Sequence, residues 1–427
     1  MNRKRVLFFS HYFPPEVNAP ANRLYEHARL WIKDIDVTVI TNFPNHPDGK
    51  LFPGYRNRLW QKEKYNGIDV IRLWTFITPN EGFVLRSLNY IIYMFAAIMY
   101  VVISGIKFDI LIATTPQFFC ALAGRYAASI RRKPFILELR DLWPESIIAV
   151  GAIKNRRIIR LLQRLELSLY NAADRIVPVT NSFSDYLVEK GIDQKKIEVI
   201  FNGVSTDMFE DNNETLNTEI KKFLGESFAA GYIGTIGMAH SIGTLIRAAE
   251  ITRHLNIRYL IVGSGAEREK LEKEIRAKNL DNIKIFPIQT KSQIPAIIKS
   301  LDVFIVHLKN DPLFNTVIPS KMFEGMIMRK PLLIGVNGES RNIVESSESG
   351  LFFEPENETD LAEKLLYYIN TPSDREAHGN NGYEFVRKNF DRGMLASKYL
   401  DIIKSATVNK ILVYEVPVAV TKAKDLV

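Results

Sequence analysis

The sequence predicts two doubly wound parallel α/β domains in tandem. Three observations lead there. Short apolar runs alternate with helix-length amphipathic segments through both halves, the pattern of strands joined by helical crossovers. About six such runs fall in each half, enough for two sheets. The length, 427 residues, suits two or three domains of roughly 100–200 residues each.

In the first half the strand candidates are Val6–Ser10, Val37–Thr41, Val70–Leu73, Ile110–Thr114, Phe135–Leu139 and Arg175–Val179. In the second they are Ala230–Ile233, Arg258–Val262, Ile283–Phe286, Val303–Val306, Leu332–Ile334 and Leu351–Phe353. The turn signal Asn202-Gly203 separates the series and divides residues 1–200 from 201–382. Residues 383–404 then form one helix, with Phe385, Val386, Phe390, Leu395, Tyr399 and Leu400 as its apolar positions. The tail, 405–427, carries a β-rich patch over Ile411–Val420.

A single cysteine, Cys120, excludes a disulfide framework within the chain, and no Cys/His group has zinc spacing. The basic start, Met1 to Arg5, resembles the opening of a signal peptide. The apolar run after it is short and breaks at His11 and Pro14-Pro15, so a buried first strand is the expectation. The net charge of +8 is unevenly placed: residues 1–205 hold 28 Lys/Arg against 18 Asp/Glu. That imbalance points to an anionic partner for the first half. No nucleic-acid-binding module is present, so a membrane surface is expected and nucleic acid is not.

Two segments bear on that surface. Residues 88–106 are nearly uncharged and about as long as the ~20 residues that span a bilayer. They fall where the sheet needs a crossover, so a buried or interface-dipping helix is expected. Residues 154–170 place Arg156, Arg160 and Arg164 four apart, among Ile158, Leu161, Leu162 and Leu165. Such a helix either lies on an anionic membrane or packs with a solvated basic face.

Candidate site residues cluster beyond strand ends, where open parallel sheets bind ligands. The loop after the first strand offers Glu16, Asn18 and Arg23, and the loop after the second offers His46. Arg140, Asp141, Trp143 and Glu145 follow the fifth. In the second half Gly234, Thr235 and Gly237 follow the first strand and Gly263 the second, glycines that let backbone N–H groups approach phosphate. Ile288 lies beyond the third. The densest feature is Ile318-Pro-Ser-Lys-Met-Phe-Glu324. There Ser320 and Lys321 enter the positive first turn of a helix, and Glu324 falls one turn on, on the same face. A cation so placed suits a diphosphate leaving group, and the carboxylate suits ribose hydroxyls. An ordinary Lys–Glu surface pair has the same spacing.

Taken together these segments resemble glycosyltransferase family four, of the GT-B fold: two Rossmann-like domains facing each other across a cleft, with a C-terminal helix crossing back to the first. FEGMIMRKPLLIGVNGESRNIVESSESGLFFEPEN resembles the family's donor-site signature. SHYFPPEVNAPANRLYEHA, TNFPNHPDGK, ELRDLWPES and IPSKMFE resemble its bacterial surface-polysaccharide members. The resemblance puts Glu324 at the second glutamate of the family's pair, and Gly338 and Glu339 in the turn near the donor phosphates. Thr316 stands where the first glutamate belongs, and the usual Arg and Lys after the first strand of the second domain are absent. Lys321 is the expected substitute.

The implied activity is a retaining sugar transfer from a UDP-sugar to a polyprenyl-diphosphate-linked glycan, at the inner face of the cytoplasmic membrane. Neither a cofactor nor a metal is expected. Lys321, Asp141, Arg140, His46 and Glu16 are the catalytic candidates, and Asn18, Arg23, Trp143 and Glu145 the acceptor-side set. A UDP-sugar 2-epimerase of the same fold, or a non-catalytic nucleotide-sugar-binding subunit, are the alternatives.

Overall fold

The computed structural model describes residues 3–46, 49–77, 83–149, 151, 153–206, 209 and 214–414. Two parallel sheets, each covered by helices on both faces, organise them. The first contains β1 (Arg5–Phe9), β2 (Asp36–Asn42), β3 (Trp60–Tyr65), β4 (Ile68–Leu73), β5 (Ile110–Thr114), β6 (Phe135–Leu139) and β7 (Arg175–Pro178), in the order β3-β4-β2-β1-β5-β6-β7. The second contains β8 (Phe228–Ile233), β9 (Ile257–Val262), β10 (Ile283–Phe286), β11 (Val303–His307), β12 (Leu332–Gly335) and β13 (Gly350–Phe352), in the order β10-β9-β8-β11-β12-β13. Every pairing is parallel except that of β3 with β4.

The central strands are buried on both faces; Leu7, Phe9, Leu111 and Ile112 are fully inaccessible. That is why they read as continuous apolar runs. Strand β3 was not expected. Its side chains are exposed or half-buried, and it pairs with β4 through a hairpin at Asn66-Gly67, both at positive φ.

In the first half the helices are α1 (Ala19–Trp31), α2 (Phe83–Ile103), α3 (Phe118–Ile130), α4 (Glu145–Ala149), α5 (Arg156–Ala172) and α6 (Asn181–Glu189). Helix α2 is the crossover from β4 to β5. Tyr93, Ala97 and Val101 pack inward, while Leu88, Phe95, Met99 and Ile103 face out. Among the described residues no helix is long and apolar enough to cross a membrane.

In the second half come α7 (Thr218–Leu224), α8 (Gly243–Ile251), α9 (Arg268–Ala277), α10 (Ile294–Lys299), α11 (Lys321–Ile327), α12 (Glu339–Ser346), α13 (Glu358–Asn370), α14 (Pro372–Asn389) and α15 (Arg392–Tyr414). The single helix expected over 383–404 is two. The chain breaks at Phe390-Asp391, where Asp391 bridges Val204 and the Phe390 carbonyl accepts from the Val204 N–H at 3.0 Å. Past the break α15 packs on α1: Trp31 Nε1 donates to the Ala396 carbonyl at 2.9 Å, and Tyr399 and Ile403 join the core of Val6 and Phe8. Ile411–Tyr414, expected to be β-rich, continue this helix; the remainder of that patch lies outside the described residues.

Candidate active site

Strand order reverses between β8 and β11, because β9 and β10 extend to one side of β8 and β11 to β13 to the other. A crevice opens at such a switch point beyond the strand ends. The turn after β8 lines it, together with the segment from β11 into α11. Gly234 has φ +146°, and a Cβ there would come within 2.9 Å of Lys321 Nζ. A Cβ on Gly263 would fall 1.8 Å from the Gly234 carbonyl oxygen. The two glycines therefore let the β8 and β9 turns touch each other and Lys321.

The Lys321 amine donates to the Tyr232 hydroxyl at 2.7 Å, and that hydroxyl donates to the Thr235 carbonyl at 2.7 Å. The amine also lies 3.9 Å from the Tyr232 ring centre. Burial pushes Lys321 down to about 7, opposed by the charge of Glu324. The His240 imidazole is held neutral beside it, pushed down to about 3 by burial and then by Lys321. Its loop is pinned by buried His307. The Glu356 N–H donates to His307 Nε2 at 3.0 Å, which leaves the proton on Nδ1 to donate to the His240 carbonyl at 2.9 Å. Gly237 starts the short helical turn that carries His240.

Below Lys321, Ser320 and Glu324 line a cavity of about 270 Å³ between the two sheets' domains. Asn18, Arg23, Glu26 and Arg140 line it from the first, and Lys291 from the second. Ser320 makes no side-chain capping bond with α11. Burial raises the Glu324 carboxyl, while Lys291 and then Lys321 oppose the rise. Arg140 has Nε and Nη1 buried without a hydrogen-bond partner among the described residues, and burial lowers it to about 10. Asp141 beside it is pushed up to about 6 by burial, opposed by the Ser146 hydroxyl and the Leu142 N–H. The guanidinium, with two nitrogens left for a ligand, and the acid beside it can receive a phosphate and orient a hydroxyl.

Several expected contacts have structural partners of their own, Asn18 and Arg23 among the cavity's lining residues. Glu16 is buried, with its oxygens accepting from the backbone N–H groups of Asn45 and His46 at 3.0 Å and of Phe13 at 3.4 Å; it ties two loops together. Burial lifts it to about 7. His46 sits edge-on to Tyr12, with ring centres 5.0 Å apart. Arg23 lines the cavity and also acts as a bolt. It donates to Glu138 Oε1 and Asn202 Oδ1 at 2.9 Å, and to the Phe201 and Ile200 carbonyls at 2.8 and 2.9 Å. Asn18 caps α1 through the Ala21 N–H at 3.0 Å. Trp143 stacks on Phe118 at 4.4 Å, and Glu145 turns toward α5 to accept from Gln163 at 3.3 Å. Ile288 is 71% exposed.

Thr316 does not replace the missing glutamate, because its hydroxyl closes its own turn on the Leu313 carbonyl at 2.7 Å. Gly338 is fixed by close approach: a Cβ would fall 2.1 Å from the Asn315 carbonyl oxygen. Glu339 crosses to the first domain. Its carboxylate accepts from Asn181 N and Nδ2 at 3.1 and 2.9 Å, and from Ser182 N and Oγ at 3.0 and 2.9 Å. A carboxylate on the N-terminus of α6 contributes about 1 kcal/mol. Glu339→Ala is expected to shift the closed arrangement toward an open one by roughly fivefold. Small-angle scattering of the unliganded protein checks this through a larger radius of gyration; an unchanged radius would rule the latch out.

Sequence reasoning did not single out Lys291 or Tyr232. Lys291 donates to Glu26 at 2.6 Å across the cleft, and Glu26 also pairs with Arg392. Tyr232 reads as one more apolar position in a buried strand.

Comparison with known proteins agrees with this fold. Residues 20–208 match the model for Glycosyltransferase Family 4, and residues 215–385 that for Glycosyl transferases group 1. A putative colanic acid biosynthesis glycosyl transferase, WcaI, of Escherichia coli is 22% identical over 74% of this chain and 80% of its own. Among solved structures, sucrose-phosphate synthase from Thermosynechococcus elongatus superposes with a TM-score of 0.70 at 15% identity, covering 95% of this chain and 99% of that one. Anabaena HepE in complex with UDP and glucose gives 0.69 at 16% identity, covering 94% and 100%. The two family matches lie end to end over nearly all of both sheets, and the chain belongs to the group 1, family 4 glycosyltransferases of the GT-B fold.

Proposed function

We propose that the enzyme transfers a sugar, an N-acetylated amino or deoxy sugar, from a UDP-sugar to a polyprenyl-diphosphate-linked glycan in surface-polysaccharide synthesis. The observation that carries this is the Lys321 amine, enclosed at the switch point over Gly234 with Glu324 one turn away. The printed name of the Escherichia coli relative and the UDP and glucose bound to the Anabaena structure support the same reading.

In this mechanism the diphosphate lies against the Gly234–Gly237 turn, with Lys321 on its oxygens and Glu324 on the ribose. The acceptor hydroxyl attacks from the face the diphosphate leaves, the configuration is retained, and a diphosphate oxygen takes the proton. The bond to the acceptor oxygen forms as the bond to the diphosphate oxygen breaks. Positioning and stabilisation of the leaving charge supply the catalysis. Asp141 orients the acceptor hydroxyl and Arg140 faces the phosphates. No metal has a part in this scheme.

Donor affinity should depend on pH through Lys321. An arriving diphosphate raises the amine above its free value of about 7. Binding is therefore strongest below that value and weakens as pH rises through it, by up to about tenfold per pH unit until the bound value is reached. Calorimetric titration with UDP across this range checks it; a flat profile would show that Lys321 does not meet the phosphates.

The outward stripe of α2, with Leu88, Phe95, Met99 and Ile103, suits shallow insertion at the inner face of the cytoplasmic membrane. The decisive experiment incubates the protein with a panel of UDP-sugars and polyprenyl-diphosphate acceptors and follows lipid-linked product by mass spectrometry. A 2-epimer formed without acceptor, or UDP binding without any turnover, would overturn the transferase mechanism.

A further inference from the structure

A second pocket lies outside the cleft, between α5 and α6. Its volume is about 250 Å³. Arg160, Arg164 and Lys190 form its rim, and Glu166 and Tyr170 its floor. Among the described residues none of the three rim cations is ion-paired to a carboxylate. Lys190 instead lies over the Tyr186 ring, 5.0 Å from its centre, and Arg160 reaches only the Arg156 carbonyl, at 3.4 Å. Unpaired cations converging on a concavity are the usual recognition of a phosphate.

The floor is built for a polar ligand. Glu166 is 2% exposed and accepts from the Tyr170 hydroxyl at 2.6 Å. Burial, and then the charge of Glu145, push Glu166 up to about 8, opposed by the Tyr170 hydroxyl and then Lys190; the raised value lessens its repulsion of an anion near neutral pH. Behind the wall, the Tyr186 hydroxyl lies against the carboxyls of Glu145 and Glu166.

Beside the pocket, Leu161 and Leu167 of α5 and Val188 of α6 are exposed. The pocket thus sets cations beside hydrocarbon. It also adjoins the cleft. Glu145, reached through Gln163 of α5, opens α4, four residues after Asp141, and α4 packs on the Pro312–Thr316 turn of the second domain.

We propose that this pocket seats the phosphate of a lipid-linked acceptor, with phosphate on Arg160, Arg164 and Lys190 and hydrocarbon over Leu161 and Leu167. It would hold the acceptor by its anchored end while the growing end reaches Asp141. The proposal rests on the reading of the acceptor as lipid-linked, but its test does not require transfer.

The test compares wild type with Arg164→Gln/Lys190→Gln in three measurements. These are calorimetric binding of farnesyl diphosphate without donor, binding of UDP, and flotation on phosphatidylcholine vesicles containing phosphatidylglycerol. Farnesyl diphosphate binding should weaken at least about tenfold, while UDP affinity and flotation stay unchanged. Arg164→Gln alone should show the same direction with a smaller loss, and in turnover it should raise the acceptor KM without lowering kcat. Equal farnesyl diphosphate binding by wild type and variant would overturn the proposal. So would loss of flotation alone, which would assign these cations to bulk membrane charge. A wild type that binds farnesyl diphosphate through this pocket yet transfers no sugar to any lipid acceptor would count against the proposed function and not against the pocket.

Discussion

Lys321→Met should lower the rate of sugar transfer by about 10²–10³-fold, the usual cost of removing one preorganised charge from a developing oxyanion. Lys321 is the cation that Gly234 brings against the turn after β8, and no Arg or Lys stands in that turn to replace it. The loss should fall in kcat more than in KM, since charge grows on the diphosphate as its bond breaks. Folding should survive. Among the described residues the amine bonds only the Tyr232 hydroxyl, and Lys291 still opposes the charge of Glu324 when methionine removes that of Lys321. Kinetics on a variant of unchanged melting temperature decides the matter, and turnover near wild type would remove Lys321 from the mechanism.

Arg23→Met should instead destabilise the protein by about 3–5 kcal/mol, because it strands the buried carboxylate of Glu138. The side chains of this pair are only 4% and 3% exposed. Arg23 also holds the carbonyls of Ile200 and Phe201, so the link between the two domains loosens with it. Removing both charges, as Arg23→Met with Glu138→Gln, should recover part of the loss. Chemical denaturation of the three variants and wild type measures this. A single variant as stable as wild type would show that the ion pair contributes nothing net.

The fold was legible where burial is two-sided. Strands such as Ile110–Thr114 must be apolar throughout, and they stand out against the helices. Strand β3 was hidden because Gln61, Lys62, Glu63 and Lys64 lie on a sheet edge, where burial asks little of them. Asn66-Gly67 was the available signal. The break at Phe390 was hidden because apolar positions continue across it, and its cause, Val204, is far away in sequence. The site divided in the same way. Lys321 and Glu324 sit one helical turn apart, so spacing alone placed them together. Glu339 meets partners more than 150 residues distant, and Lys291 meets Glu26 at 265. Local sequence assigns no direction to such side chains.

Helix α15 has a consequence for synthesis on the ribosome. Leu395, Tyr399 and Ile403 belong to the core that contains Val6 and Phe8. At about 5–20 residues per second, the amino-terminal half waits some tens of seconds for its last layer of packing. Over that interval Trp31 has no Tyr399 beside it and its indole N–H has no Ala396 carbonyl. The usual order, in which the first domain made is the first completed, is therefore inverted. The amino-terminal sheet is closed by residues translated after the whole second sheet.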